Sequence, residues 1–378
     1  MRVKKLLSSI LAVCMLLSTM GTGAFADGTA LPTADGGVIT LTEDVTLTQT
    51  FVVGQGETVT IDLNGYTITA SNCEAINNSK YDSTLTIMDS SDAGTGKIVG
   101  TIRNYGTLNI TGGTITYAGD CDPEGYGAKC ATIQNYIDDY GNACALNITG
   151  GTIEYTGENS SHYAIYCSGK LGSAERIVNM NITDCVVESS TNSIYGANAS
   201  GTISGGTFIG DITLYNNGGK SVEINNGTFV GDITVQSRNA EAVEIYGGSF
   251  SSDVSEYLAD GCVIEANEDG SYGVVNTNAA KVGDTYYETL QEALKAITEE
   301  NNVVEIVNDV TITDKWDRRN TGATLTVPVT INGNGHTIKF TNEINDGYNH
   351  LAVFRPEAEA TFMNLTVDMS EAIAVFQN

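Results

Sequence analysis

The sequence predicts an all-β protein, a right-handed parallel β-helix, on three observations. First, the phrase LNITGGTI at residues 108–115 returns almost unchanged at 146–153, with weaker copies at 180–187, 202–208, 222–229 and 243–250. Aligning Ile110, Ile148, Ile182, Ile203, Ile224 and Ile245 gives steps of 38, 34, 21, 21 and 21 residues, and Ile61 and Ile87 extend the column backwards. A recurring unit of this size is the mark of a stacked solenoid. Second, each unit alternates polar and apolar residues, so Ile points to one side of a strand and Asn and Thr to the other. The Gly-Gly pair then bends the chain before a second short strand. One such unit buries too little apolar surface by itself; stacked copies make a continuous column. Third, the opening pattern occurs twice: residues 304–313 match 39–48, and 329–338 match 59–68. The 21-residue steps fit one turn each. The longer steps fit one turn carrying a loop, or two turns with one degraded.

The elements follow in chain order. Residues 1–26 read as a secretory signal peptide, with Arg2, Lys4 and Lys5 ahead of an apolar run and Ala24-Phe25-Ala26 as the small-x-small cleavage site. A membrane anchor is disfavoured because the run is short and interrupted by Ser8 and Ser9. No later segment is long and apolar enough to span a bilayer. The exported chain is then read as a first β-helix with a C-terminal cap over residues 27–275, a linker at 276–280, and residues 281–378 as a capping helix and the first coils of a second β-helix. The cap combines a short helix at 254–259 with a hairpin turning at 267–270. The second capping helix is expected over 286–300, with Leu290, Leu294 and Ile297 on one face. The second solenoid is expected to be cut short at Asn378.

Charge excludes one large class of partner. The formal charge is −28, and removing the basic leader makes it −31. A nucleic-acid binder needs the opposite sign, and anionic polymers are poor ligands on the same ground. Seven cysteines remain after the leader, none with metal-ligand spacing, and the chain has three histidines, so no metal or cofactor is expected. Cys121 with Cys130, and Cys167 with Cys185, are spaced for disulfides, and buried thiols are an equal reading. The run DSSDAGTGK at 89–97 is read as a tight polar turn rather than a calcium loop, since it lacks the closing Glu.

A second strand column runs through residues 101–105, 132–136, 164–167 and 193–196. It puts Arg103, Gln134, Tyr166 and Tyr195 in one outward line. Acidic loops at 119–129 and 138–143 interrupt these coils, where specificity is expected to sit. Tyr117 and Tyr155 are read as a further exposed pair, and Tyr105 matches Tyr136. Such aromatic ladders suit the apolar C–H faces of sugars, although Tyr is also a good strand residue. The candidate ligand-binding residues are therefore Tyr117, Tyr155, Tyr166, Tyr195, Arg103 and Gln134. Glu154 and Glu188, with Arg176 in reach, form the best carboxylate set for polysaccharide cleavage. Outward glutamates are usually just solvated, so no catalytic residue is assigned. Asp211, Asp232 and Asp253 form an acidic ladder read as turn aspartates.

The Gly-Gly-Thr/Ser-Phe turns, the cap SSDVSEYLADG…NEDGSYGVV and the lead-in AKVGDTYYETLQEALKAI…VEIVNDVTI resemble exported surface proteins of Gram-positive bacteria that carry pectate-lyase-like right-handed β-helix modules in tandem. The resemblance covers nearly all of the exported chain, which departs from it in lacking an LPxTG sorting signal. It implies a fold and a place, secreted or at the cell surface. Adhesion, scaffolding or contact with polysaccharide or host glycans follows only by association, because this fold hosts lyases, hydrolases, adhesins and stalks alike. The function expected is adhesive or scaffolding with glycan binding along a tyrosine-bearing face; a polysaccharide lyase or glycoside hydrolase is the alternative.

Overall fold

A computed structural model describes residues 31–119, 130–137, 142–169, 177–215, 222–236, 243–312, 323–340 and 354–368. The leader, Arg176 and most of the two acidic loops lie outside the described residues. The chain divides into two compact units, one made of residues up to Glu244 with Gly248–Asp253, the other of Ile245–Gly247 with Val254–Asn378.

The first unit is a parallel β-helix with three strands per turn. Eight strands stack in chain order from Val38–Thr40 to Val222–Ile224, and their pairings are parallel. The isoleucine column is real in atomic register: Ile39, Ile61, Ile87, Ile110, Ile148, Ile182, Ile203 and Ile224 pair successively and are buried. Ile110, Ile148 and Ile182 are direct neighbours, so the 38- and 34-residue steps are single turns carrying loops. A second column runs Val45, Ile68, Ile98, Ile115, Ile153, Val187, Phe208, Phe229 and Phe250. Its three phenylalanines stack in parallel at 4.8 Å, the spacing of neighbouring strands. A third column runs Phe51, Ile76, Ile102, Ile133, Ile165, Ile194, Ile212 and Ile233.

The bend in the repeat phrase needs glycine. Gly151 has φ +91°, and a Cβ there would lie 2.6 Å from the carbonyl oxygen of Gly113, its counterpart one coil earlier. No side chain fits between coils that close.

One set of buried polar residues forms a ladder. Asn78 Nδ2 donates to Asn104 Oδ1 at 2.7 Å, and Asn104 Nδ2 donates to Asn135 Oδ1 and to the carbonyls of Gly106 and Ala145. All three amides are fully buried. Cys167 continues the column; Asn135 donates to its sulfur at 3.8 Å. The start of each unit uses one hydrogen-bond scheme. Asn64 (φ 46°) donates its amide to Leu41 O and its N–H to Asp62; Asn334 (φ 50°) donates its amide to Ile306 O and its N–H to Asn332. Asp44 caps Thr67 N at 2.8 Å, as Asp309 caps Thr337 N at 2.8 Å.

The second unit also builds parallel sheets, with Val303–Ile306, Val329–Asn332 and Ala360–Met363 stacked in order. Ahead of them, Ala280–Val282 pairs antiparallel with both Thr285–Tyr287 and Val303–Ile306. This shortens the expected helix to Leu290–Lys295, because Tyr286 and Tyr287 are drawn into the hairpin and Thr289 with Glu292 forms a capping box. Leu290, Ala293 and Leu294 pack into the core of this unit, and Ile297 only borders it. The helix expected at 254–259 is one 3-10 turn, Ser255–Tyr257. The stretch expected as a linker is packed: Asn278 is buried and donates to Asp260 O, while Asn308 donates to the carbonyls of Asn276 and Asn278. Among the described residues no helix is long and apolar enough to cross a membrane.

Both proposed cysteine pairings fail. Cys73 is disulfide-bonded, whereas Cys130, Cys144, Cys167, Cys185 and Cys262 are thiols. The positions that pair Cys167 and Cys185 by spacing put them on different strand columns, Cys167 in the asparagine column and Cys185 beside the Gly-Gly bend. Burial pushes both thiols up to about 12.

Two outcomes test this core. Asn104→Ala removes one partner from five hydrogen bonds and should lower stability by roughly 3 kcal/mol in urea unfolding, since each orphaned group costs about 1–3 kcal/mol. Native alkylation followed by peptide mapping should leave Cys167 and Cys185 unlabelled until the chain is denatured.

Candidate functional site

The third strand column has the feature that sets it apart, an outward line of unlike residues. Asn77, Arg103, Gln134, Tyr166, Tyr195 and Thr213 are neighbours on successive strands. The sequence alignment of Arg103, Gln134, Tyr166 and Tyr195 is therefore the spatial one. Inward isoleucines on the same strands fix which way this line faces, because strand side chains alternate.

At one end of the line sits an enclosed ion pair. Arg103 Nε lies 3.4 Å from Glu74 Oε1, with the two side chains 7% and 12% exposed. Gln134 is likewise buried and donates to Ala131 O at 3.3 Å. The expectation that Arg103 and Gln134 stand open to a ligand is thus corrected: both are enclosed. Glu74 was not read from the sequence, because the strand Thr67–Asn78 is irregular there, with register shifts between Thr69 and Glu74 and between Glu74 and Ile76.

Further along are the tyrosines. Tyr166 and Tyr195 stack in parallel with centroids 4.9 Å apart and planes 5° apart. Tyr136 lies 5.7 Å from Tyr166, Tyr105 lies 6.0 Å from Tyr136, and Tyr163 lies 5.8 Å from Tyr166 and 5.3 Å from Tyr195. Tyr105, Tyr136, Tyr166 and Tyr195 are half-buried and Tyr163 is buried. Tyr163 is the aromatic that the repeat alignment missed, since it precedes the periodic part of its strand. Burial raises the Tyr136 phenol, the neighbouring Tyr166 adds to the rise and Arg103 opposes it. Burial also raises the Tyr166 phenol, against a hydrogen bond with Ser168. These hydroxyls remain protonated donors at neutral pH.

Tyr117 and Tyr155 do not join this face. They are in register with each other on the second strand column, but Tyr155 stands two residues beyond the inward Ile153 and shares its side. It is 1% exposed, and its hydroxyl lies 2.9 Å from His162 Nδ1. The Tyr117 hydroxyl lies over Gly119 and that of Tyr155 over Gly157, where a Cβ would stand 2.3 Å away, so this Tyr-x-Gly pattern is a packed corner.

Glu154 and Glu188 are register neighbours, with Thr116 on the other side of Glu154, as their column predicts. Glu154 is half-buried and Glu188 exposed. The acidic turn at 89–97 is satisfied by backbone donors from the turn and from the coil before it: Asp89 accepts from the N–H groups of Gly65, Gly96 and Ser91 at 2.8, 2.6 and 3.2 Å. Burial pulls the Asp89 carboxyl up, but these donors together hold it below its usual value. Asp211 accepts from Asp232 N at 2.9 Å, so that ladder binds backbone of the next coil. No family model, curated protein or solved structure matches the chain.

Asp89→Asn should cost about 1 kcal/mol at neutral pH, a modest figure because the turn is partly solvated. Since the folded carboxyl titrates lower than the unfolded one, its contribution is full above the unfolded value and fades as pH falls through the folded one. Urea midpoints of wild type and variant should therefore converge in acid.

Proposed function

We propose that this is an exported, surface-associated β-helix protein with an adhesive or scaffolding role, which binds glycans along the face bearing Tyr105, Tyr136, Tyr166 and Tyr195. One observation carries the reading: the half-buried Tyr105, Tyr136, Tyr166 and Tyr195, with the buried Tyr163 against two of them, form one chain of ring contacts beside the enclosed Arg103–Glu74 pair and Gln134. The inward columns already supply the stability of these coils, and rigid, amphipathic aromatics clustered outward are what a recognition surface uses. Export rests on the leader pattern, and the surface setting on the resemblance of cap and lead-in to tandem β-helix modules.

The alternative, polysaccharide cleavage, is favoured by the adjacency of Glu154 and Glu188. Strand spacing of about 4.8 Å puts neighbouring carboxylates near the separation of about 5 Å that retaining glycosidases use. Residues 27–378 should be run on native gels cast with plant and host polysaccharides and then stained for polymer. Retardation without clearing is expected, and Tyr166→Ala with Tyr195→Ala should weaken it by roughly five- to thirtyfold, the cost of losing aromatic anchors. Cleared zones abolished by Glu154→Gln would establish the enzyme instead; free migration on every polymer would refute glycan binding.

A further inference from the structure

We infer that the tyrosine-bearing face takes neutral glycan chains and discriminates against their carboxylated counterparts. The inference rests on the glycan-binding reading above and names its ligand class.

The argument is one of charge and chemistry. The strand segments that build this face, residues 74–78, 101–105, 131–136, 163–168, 192–197 and 211–215, contain one cation, Arg103, against two anions, Glu74 and Asp211. The cation is already answered. Its Nε lies 3.4 Å from Glu74 Oε1, and both side chains are largely enclosed. A carboxylated sugar entering here would shed water and find a positive charge that is compensated and walled in, so its desolvation would go unrepaid. At longer range it would approach a chain with 46 acidic and 18 basic residues, whose field opposes a polyanion.

What the face does offer is neutral. Tyr136 and Tyr166 carry phenols that burial keeps protonated, able to donate to and accept from sugar hydroxyls. Asn77 and Thr213 stand in register at the two ends of the line. Aromatic edges and faces between them match the apolar C–H surface of a pyranose. From Arg103 to Tyr195 the line covers three strand spacings, roughly 14 Å, which is a site for an oligosaccharide segment rather than a single sugar.

The test uses polymers that differ in charge and share a backbone. The exported chain, residues 27–378, is run by affinity electrophoresis against hydroxyethyl cellulose and carboxymethyl cellulose, and against fully esterified and de-esterified homogalacturonan, with chelator present so that no divalent cation bridges acid to acid. Retardation by the neutral member of a pair, with affinity for its acid form lower by about tenfold or more at low salt, supports the inference, and the gap should narrow as salt screens the field. Equal or stronger retardation by the acid form overturns it and leaves glycan binding standing. No retardation by any of the four polymers sinks both for these backbones. Glu74→Gln supplies a second measurement. Uncovering the Arg103 charge should move the ratio toward the acid form, and an unchanged ratio in a variant with wild-type circular dichroism would remove the ion pair from the explanation.

Discussion

Like residues stacked in register hold this molecule together. In the first column each strand places an isoleucine against an isoleucine one coil away, and the eight members from Ile39 to Ile224 are buried. Asn78, Asn104 and Asn135 follow the same rule, each amide meeting its counterpart one coil away. The same rule allows Phe208, Phe229 and Phe250 to replace aliphatic residues only as a stacked set. Outside, Asn147 and Asn181 repeat the ladder, with amides donating to Asn109 and Asn147 at 2.9 and 3.0 Å.

Register also explains where variation is tolerated. An insertion that leaves and re-enters the coil at the same phase does not disturb the columns, so turns of 34 and 38 residues sit beside turns of 21. The coils that carry these insertions are those that hold Gln134 and Tyr166, while Arg103 and Tyr195 lie on the strands paired to either side. The regular scaffold positions the tyrosines, and departures from regularity give that face its chemistry. The irregular strand at Glu74 is the sharpest case: the shifted register brings its carboxylate to Arg103.

The two units begin with the same device. A left-handed Asn, Asn64 or Asn334, ties its amide to a carbonyl of the previous coil, and an Asp of that coil, Asp44 or Asp309, caps the next strand. The copies diverge around this shared scheme: Asn332 accepts where Asp62 does, and His336, in the place of Tyr66, lies 3.4 Å from the capping Asp309.

The sequence by itself determined the coil, its apolar columns and the line from Arg103 to Tyr195. Strict alternation and repeat spacing encode strand register directly, and parallel stacking turns equal phase into contact. It also marked both starts of the fold. Only the tertiary structure decided which outward residues are open. Parity sends Tyr155 inward despite its match to Tyr117, and the position of Arg103 in the outward line says nothing of Glu74 closing over it. The ends of elements were likewise tertiary decisions: antiparallel pairing claims Tyr286 and Tyr287 from a stretch with helical periodicity. The cysteines followed no spacing rule, because a disulfide depends on which coil and which column each sulfur occupies, and Cys167 and Cys185 occupy different ones.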